Sequence, residues 1–496
     1  MLFNSYVFIF AFLPVVFAIH YALRRSKRDR FAVAFLALAS LFFYGWWNPV
    51  YVILIGVLIL ANYACVRALI EARGPAARTL LLVVGIGGNL CVLGYYKYAN
   101  FFVDNLNALT GLELYLNQII LPLGISFFTF QKIALLADTY EGKVRKLDFL
   151  DYALFVLFFP QLIAGPIVHH SEAMPQFQAR RVVSVHEIAM GLTSFIVGLS
   201  KKVLLADTLS GYATSQFDAA ASGGALSFLG AWSGALAYTL QLYFDFSGYS
   251  DMAIGAALLF GVRLPLNFNS PYKARNIIDF WRRWHMTLSR FLRDYLYIPL
   301  GGNRLGPLRR YLNLFITMLL GGLWHGAGWT FIVWEGLHGA YLAINHAWDA
   351  LARHGSASAN PGAARRLAGY ALTFLAVVVG WVFFRADSLA AAFSMLRAMT
   401  AISEVRIGLS GEASSELAQA FLLIGIAMAL VGFVPNTQEL VGYEPYEAAH
   451  RPSRPPEAKA GWQWQPSAGW AILAGSMAAV SLLSLSKVSE FLYFQF

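Results

Sequence analysis

Apolar runs long enough to cross a lipid bilayer recur along nearly the whole chain, and they constrain its fold more than any other feature. A transmembrane helix needs about 20 mostly apolar residues. The sequence predicts such spans near residues 5–23, 31–47, 51–70, 79–98, 119–137, 225–246, 311–324, 328–348, 367–384, 416–434 and 467–485. Prolines or lysines interrupt two further apolar stretches, 151–168 and 186–206, so we expect re-entrant or partly buried helices there. The predicted fold is an all-α polytopic membrane protein with about 10–12 membrane helices.

The composition agrees with a protein that is covered mainly by lipid. Hydrophobic residues make up 58% of the chain and charged residues only 13%, whereas a soluble globular domain carries about 25% charged residues. The net charge of +10 comes with Lys and Arg residues that lie between the apolar runs. This distribution is typical of cytoplasmic loops beside anionic lipid and argues against nucleic-acid binding. Both cysteines lie within apolar stretches, which indicates neither a disulfide framework nor a thiolate metal site.

The positions of the basic residues predict the orientation of the N-terminal part. The first apolar run comes before the basic segment 24–30, not after it, so we expect a retained first span with its N-terminus outside rather than a cleaved signal peptide. Segments 71–78 and 141–146 are also basic, whereas 48–49 is uncharged and the only charged residues of 99–118 are acidic. Because basic loops favour the cytosolic side, segments 24–30, 71–78 and 141–146 are predicted to face the cytosol.

The chain shows no clear division into domains and no clear internal repeat. Its one long polar loop is a proline-rich stretch at about 443–466. We therefore predict a single transmembrane domain over residues 1–496, interrupted by this loop.

The segment 276–304 carries the first group of residues that could perform chemistry. Read as one helix to about Tyr297, it has an apolar face, and its basic residues gather mostly on other faces, which is typical of a helix lying at the membrane interface. Those basic residues are Arg282, Arg283, Arg290 and Arg293. His285 lies at the edge of the apolar face, where it is either a packed histidine or a functional one.

The segment 321–339 carries the second group. His325 lies in a glycine-rich interruption between two apolar runs, and Glu335 and His338 follow one turn apart on the second run. An ionisable residue at membrane depth is costly and therefore a functional hypothesis. A metal site is the rival interpretation, but this spacing is not a usual one for zinc, so no metal is predicted.

Asp245 and Asp251 form the third group, on either side of a turn-like Ser-Gly-Tyr-Ser sequence that we place at the end of an apolar span. The structural interpretation is helix capping, with acidic residues favoured in a first turn. The functional interpretation is that these carboxylates hold the tautomer of a histidine or bind the acceptor.

Several long motifs together resemble the membrane-bound O-acyltransferase family, in its bacterial alginate O-acetyltransferase branch. The motifs are FYGWW at 43–47, GYYKYANFF at 94–102, LPLGISFFTFQ at 121–131, FPQLIAGPI at 159–167, QLYFDFSGYSDMAIG at 241–255, FWRRWHMTLSRFLRDYLYIPLGGNR at 280–304, GGLWHGAGWTFIVWEGLHG at 321–339 and PNTQE at 435–439. The resemblance implies a ring of helices around a central tunnel. It also implies that His325 is the catalytic histidine and that His285 is the second histidine of the same core, with His338, Glu335, Asp245 and Asp251 in support.

The resemblance further implies an inner-membrane enzyme that takes acetyl groups from a cytoplasmic donor, with acetyl-CoA expected, and no bound cofactor. A periplasmic hydrolase-like transferase, working with a polysaccharide export complex, would then acetylate the polymer. Arg282, Arg283, Arg290 and Arg293 would suit the phosphates of coenzyme A. Alginate is the expected polymer; the alternatives are cellulose, peptidoglycan or D-alanyl transfer to teichoic acid. A transporter or flippase without transfer chemistry is also open, although the paired broken helices of inverted repeats are not evident.

Overall fold

A computed structural model describes residues 1–354, 362–402, 412–446, 463–485 and 492, and the regular secondary structure in these residues is entirely helical. Among the described residues, six helices are long and apolar enough to cross a membrane: Val7–Arg25, Val50–Glu71, Pro75–Thr110, Val185–Ala221, Ala363–Arg385 and Ser415–Phe433. The all-α class is confirmed over this part of the chain, and the count of 10–12 membrane helices stays a prediction. Most of the predicted loop at 443–466 lies outside the described residues.

The helices are labelled here in chain order. They are α1 (Val7–Arg25), α2 (Asp29–Gly45), α3 (Val50–Glu71), α4 (Pro75–Thr110), α5 (Ile125–Tyr140), α6 (Phe149–Leu157), α7 (Phe159–Leu162), α8 (His170–Gln178), α9 (Val185–Ala221), α10 (Phe228–Leu259), α11 (Ile277–Trp281), α12 (Met286–Leu292), α13 (Pro307–His325), α14 (Trp329–His354), α15 (Ala363–Arg385), α16 (Leu389–Thr400), α17 (Glu412–Phe433), α18 (Thr437–Val441) and α19 (Ala468–Leu483). A 3₁₀ turn covers Pro271–Lys273, and a π-helical turn, Arg293–Tyr297, follows α12.

The chain forms two compact units. The first consists of Met1–Leu199, Tyr249–Leu266 and Thr437–Gln495. Its core contains an aromatic cluster in which the rings of Phe8, Phe43 and Phe159 lie 5.4 to 6.0 Å apart. Such aromatic pairs add packing energy to the burial of their surface.

Hydrogen bonds and ion pairs also connect helices of the first unit. Asn89 donates to the Oδ1 of Asn62, which in turn donates to the Tyr152 hydroxyl, at 3.0 and 3.1 Å, and such hydrogen bonds hold apolar helices together. At the start of α2, Arg30 forms ion pairs with Asp148 and Asp151, at 2.8 and 3.1 Å. Although burial opposes it, the hydrogen bond from Arg30 holds the pKa of Asp148 below its ordinary value. The basic segment 24–30 is therefore fastened to the beginning of α6.

The second unit consists of Ser200–Gly248, Asn267–Asn436 and Phe496. Its centre is built from tryptophans: the Trp381 ring lies 4.8 Å from Trp284 and 5.3 Å from Trp334. Helices α13 and α14 pack closely because Gly322 has no side chain. A Cβ atom there would lie 2.6 Å from the carbonyl oxygen of Phe331. This close packing brings the residues of the glycine-rich segment together.

The structure differs from the sequence predictions about helix limits in three places. The stretch 186–206 lies in the continuous helix α9, which is partly buried, as one of the two predicted alternatives has it. The expected interruption at the lysines is wrong, because Lys202 is buried against Asp245 and Asp207 within the helix. The predicted loop 99–118 is helical as far as Thr110. The turn placed after residue 246 does not form, since α10 runs through it to Leu259.

The predicted interfacial helix from 276 to about Tyr297 is also wrong, because the structure divides it at His285. Backbone angles of φ 42° and ψ 52° at this residue separate α11 from α12. A non-glycine residue with positive φ is uncommon and is concentrated at functional sites. The periodicity of the apolar residues continues across His285, so the sequence pattern did not indicate that the helix is divided there.

Candidate active site

His325 is the last residue of α13 and is almost completely buried. Its Nδ1 lies 2.8 Å from the carbonyl oxygen of Gly321, one turn earlier. Because a carbonyl oxygen only accepts, the neutral imidazole must carry its proton on Nδ1. The lone pair therefore resides on Nε2, which is the arrangement that a general base needs.

Glu335, on α14, lies on the Nδ1 side of the same ring. Its Oε1 is 3.7 Å from His325 Nδ1, and its side chain is 1% exposed. The carboxyl reaches this position beside Gly321 and Gly322, where a Cβ atom would lie 3.3 Å from Oε1 and 2.9 Å from the Cβ of Glu335, respectively. If Nε2 accepts a proton, an ionised Glu335 would stabilise the resulting imidazolium.

Aromatic rings enclose His325. The centroids of Trp324, Trp334 and Phe384 lie 4.9, 4.8 and 5.9 Å from the imidazole centroid. Such an enclosure excludes bulk water, which strengthens electrostatic interactions and limits hydrolysis of a reactive acyl group.

His285 lies beside His325, as the sequence resemblance predicts. The two imidazole centroids are 6.4 Å apart, and His285 is 1% exposed. Its Nδ1 is 3.0 Å from the Oδ1 of Asn267, and the ring of Phe246 packs on it at 4.9 Å. The structure therefore brings together the two histidines that are about forty residues apart in sequence.

His338 is placed differently. The indole Nε1 of Trp281 donates to its Nδ1 at 3.3 Å, so the proton of the neutral ring is on Nε2. That Nε2 faces Gly380, where a Cβ atom would lie only 2.7 Å away. With one nitrogen occupied and the other closely packed, His338 is suited to support the aromatic core rather than to accept a proton from a substrate.

The structure places the two aspartates against partners other than histidine. Within the second unit, Asp245 forms an ion pair with Lys202 at 2.7 Å, and Lys202 also contacts Asp207 at 2.8 Å. The tautomers of the two histidines are held instead by the carbonyl oxygens of Gly321 and Asn267. Carbonyl oxygens thus contact Nδ1 of both histidines, and the binding of the acceptor by the two carboxylates stays a prediction.

Asp251 belongs to the first unit. There it accepts hydrogen bonds from the Thr437 hydroxyl at 2.6 Å and from the Gln438 amide at 2.5 Å. Both partners belong to the PNTQE motif, so these contacts fasten the start of α18 to α10.

The basic residues of 276–304 lie around the two short helices. Arg283 pairs with Asp279 and Arg293 pairs with Asp294, at 2.8 and 2.7 Å. Arg282 and Arg293 are exposed, whereas Arg290 is half-buried. Arg310 and His346 form a further basic contact of the second unit, with Nη2 of Arg310 3.0 Å from Nδ1 of His346.

Sequence reasoning missed Asn267 and Lys202. An asparagine in a polar connection usually indicates a turn, and nothing in the local pattern relates position 267 to His285. Lys202 looked like a helix interruption because its partner Asp245 is distant in sequence. Over the described residues, no three His, Cys, Asp or Glu side chains are grouped so that they could hold a metal ion.

The chain belongs to the membrane-bound O-acyltransferase family, which residues 6–384 match. It is therefore a multi-pass membrane protein and an acyltransferase. It is 46% identical to the peptidoglycan O-acetyltransferase of Helicobacter pylori over 84% of this chain and 83% of that protein. It is 40% identical to the probable alginate O-acetylase AlgI of Pseudomonas aeruginosa over 100% of both chains. A teichoic acid D-alanyltransferase of Streptococcus thermophilus is 30% identical over 46% of this chain and 57% of its own length.

Proposed function

We propose that this protein relays acetyl groups from cytoplasmic acetyl-CoA across the bacterial inner membrane for the O-acetylation of an exported polysaccharide, alginate first among the candidates. The observation that carries the proposal is the state of His325: buried, enclosed by aromatic rings, with Nδ1 bound to a carbonyl and Nε2 left as the basic nitrogen. The full-length similarity to the probable alginate O-acetylase supports the choice of polymer.

The proposed reaction is a direct acyl transfer. The acceptor hydroxyl attacks the thioester carbonyl carbon while Nε2 of His325 takes the hydroxyl proton, because a neutral hydroxyl is a poor nucleophile. A C–O bond forms, the C–S bond breaks, and the proton is passed to the leaving thiolate. Glu335 stabilises the imidazolium between these steps, and His285 orients the acceptor through its own Nε2. The protein itself needs no bound cofactor for this sequence.

Four arginines, at positions 282, 283, 290 and 293, are proposed to hold the phosphates of the donor. Removing all four charges by Arg→Gln substitution at Arg282, Arg283, Arg290 and Arg293 is expected to raise the KM for acetyl-CoA about tenfold or more. The kcat should change less, because binding common to the ground and transition states is what is lost. The control is a double Arg→Gln variant of Arg365 and Arg366, which removes two exposed positive charges elsewhere in the protein. An unchanged KM in the fourfold variant would mean that these arginines only anchor the protein to anionic lipid.

The orientation is proposed from the charge pattern, with segments 24–30 and 141–146 in the cytosol. The ion pairs from Arg30 to Asp148 and Asp151 support it, since they require both segments to lie on one side. A cysteine placed at Ser26 is expected to resist an impermeant thiol reagent added to whole cells, in a protein whose two native cysteines have been replaced. Strong labelling from outside would contradict this orientation.

On the outer side, a hydrolase-like periplasmic transferase within a polysaccharide export complex is the proposed recipient of the acetyl group. Peptidoglycan is the second candidate acceptor, because the similarity to the Helicobacter pylori enzyme reaches 46% identity over most of the chain. D-Alanyl transfer to teichoic acid is supported by a shorter and weaker similarity.

The proposal is tested with purified protein in liposomes and radiolabelled acetyl-CoA. Label is expected to reach an acceptor on the side opposite the donor, and alginate oligosaccharides and peptidoglycan fragments are compared, each with the periplasmic partner present. A His325→Ala protein is the control for acetyl-CoA hydrolysis unrelated to the site. Label transfer to peptidoglycan alone would replace alginate by the second candidate. If no acetyl group reaches either acceptor and a D-alanyl group is transferred instead, the proposed donor is refuted.

A further inference from the structure

We infer that Asn267 is a positioning residue for acyl transfer: it holds His285 in the tautomer whose Nε2 carries the lone pair. Asn267 is 1% exposed and lies in the connection between α10 and α11, outside the motif that contains His285. The inference rests on the proposed participation of His285 and assigns a residue that acts through it.

Two neighbours converge on the side-chain oxygen of Asn267. Nδ1 of His285 lies 3.0 Å from it, and the Thr287 hydroxyl donates to it at 2.9 Å. An amide oxygen only accepts, so the neutral imidazole donates from Nδ1 and keeps its lone pair on Nε2. The Thr287 hydroxyl donates to the same oxygen, so this orientation of the amide satisfies both neighbours.

The main chain strengthens the same connection. The backbone N–H of Met286 donates to the backbone carbonyl of Asn267 at 2.9 Å. His285 itself has left-handed backbone angles, φ 42° and ψ 52°, which cost on the order of 1–3 kcal/mol for a residue other than glycine. A conformation of this kind persists where surrounding contacts over-determine it. Asn267 contacts the ring of His285 and both residues that follow it, Met286 and Thr287.

The outcome is a matched pair of histidines. His325 donates from Nδ1 to a backbone carbonyl, and His285 donates from Nδ1 to a side-chain carbonyl. Each ring therefore presents a basic Nε2 while its other nitrogen is held by an uncharged group. Loss of the Asn267 oxygen would let the proton of His285 move to Nε2, which would convert this atom from acceptor to donor.

The test compares Asn267→Leu, which removes the acceptor at similar volume, with Asn267→Asp, which retains an oxygen at the same position. Asn267→Leu is expected to lower kcat about 10²-fold, because an acceptor that is no longer oriented by His285 is misplaced for attack, with little change in the KM for the donor. Asn267→Asp is expected to stay within about tenfold of the wild type. Thr287→Val is the matched control: it removes the neighbouring hydrogen bond and leaves the His285 contact, so its kcat should fall only a few fold.

A double variant separates positioning from general support of the fold. If Asn267 acts through His285, Asn267→Leu combined with His285→Ala is no slower than His285→Ala alone, because residues that act as a unit are not additive. Losses that multiply, or an Asn267→Leu protein whose kcat stays within about threefold of the wild type, would overturn the inference. If the leucine variant does not accumulate in the membrane, Asn267→Ala makes the same comparison without overpacking.

These ratios do not depend on the identity of the donor or polymer. The wild-type protein is assayed first with acetyl-CoA and with a D-alanyl thioester of a carrier protein. Activity with the D-alanyl donor alone refutes the proposed function, and the same variants, measured with that donor, still decide the role of Asn267.

Discussion

Replacing His325 by Ala is expected to abolish acyl transfer while the protein remains folded and inserted in the membrane. Loss of a general base typically slows a reaction about 10²–10⁴-fold, which is enough to take polymer acetylation below detection in most assays. The hydrogen bond that is lost joins residues of the same helical turn, so the remaining cost to stability is the lost packing, which the control variant below shares. The measurement is the acetyl content of the polymer, normalised to the amount of protein in the membrane.

His338→Ala is the matched control for this prediction. It also removes a buried histidine of the second unit, but one whose Nδ1 is occupied by Trp281. We expect lower abundance or stability from the lost packing and a nearly normal specific activity in the surviving protein. Normal acetylation with His325→Ala would end the catalytic interpretation. Equal losses of specific activity in both variants would mean that the whole aromatic core is needed, not one base.

Replacing Lys202 by Ala is expected to give the largest loss of stability. Lys202 is 2% exposed and contacts Asp245, which is 1% exposed. Removing one partner of a buried ion pair leaves an uncompensated charge and costs about 3–5 kcal/mol. Most of this cost comes from the buried carboxylate of Asp245, because Asp207 is partly exposed and water can solvate it. The free energy of unfolding in detergent micelles is the quantity to measure.

Two further variants identify the cause. Lys201→Ala changes the adjacent and less buried lysine and should have a small effect. Lys202→Met with Asp245→Leu removes both charges, and it should recover much of the lost stability, because an apolar pair of similar volume often replaces a buried ion pair without loss. A double variant as unstable as Lys202→Ala would show that packing, not the uncompensated charge, determines the result.

The sequence predicted the all-α class and singled out His325 because both signals are local. Apolar runs of membrane length are visible without tertiary information, and the glycine-rich break places His325 where an ionisable residue is unusual. The predicted proximity of His285 came from the family resemblance, since no periodicity relates it to His325.

What escaped prediction depends on contacts between distant segments. Lys202 looked like a helix interruption until its partner Asp245 was known. Asn267 looked like a turn residue until its hydrogen bond to His285 was known. The left-handed backbone at His285 was equally hidden, since such angles rarely occur outside glycine and leave no pattern in the neighbouring residues.

The contact between His338 and Gly380 restricts the order in which substitutions at these two positions can occur during evolution. Any side chain at position 380 meets the Nε2 of His338, because a Cβ atom there would lie 2.7 Å from it, and Trp281 holds the imidazole from its other nitrogen. A mutation to alanine at position 380 is therefore disfavoured while histidine occupies position 338. A smaller residue at 338 must come first, after which alanine at 380 refills the space. Positions 338 and 380 should thus vary together among descendants, with histidine accompanied by glycine.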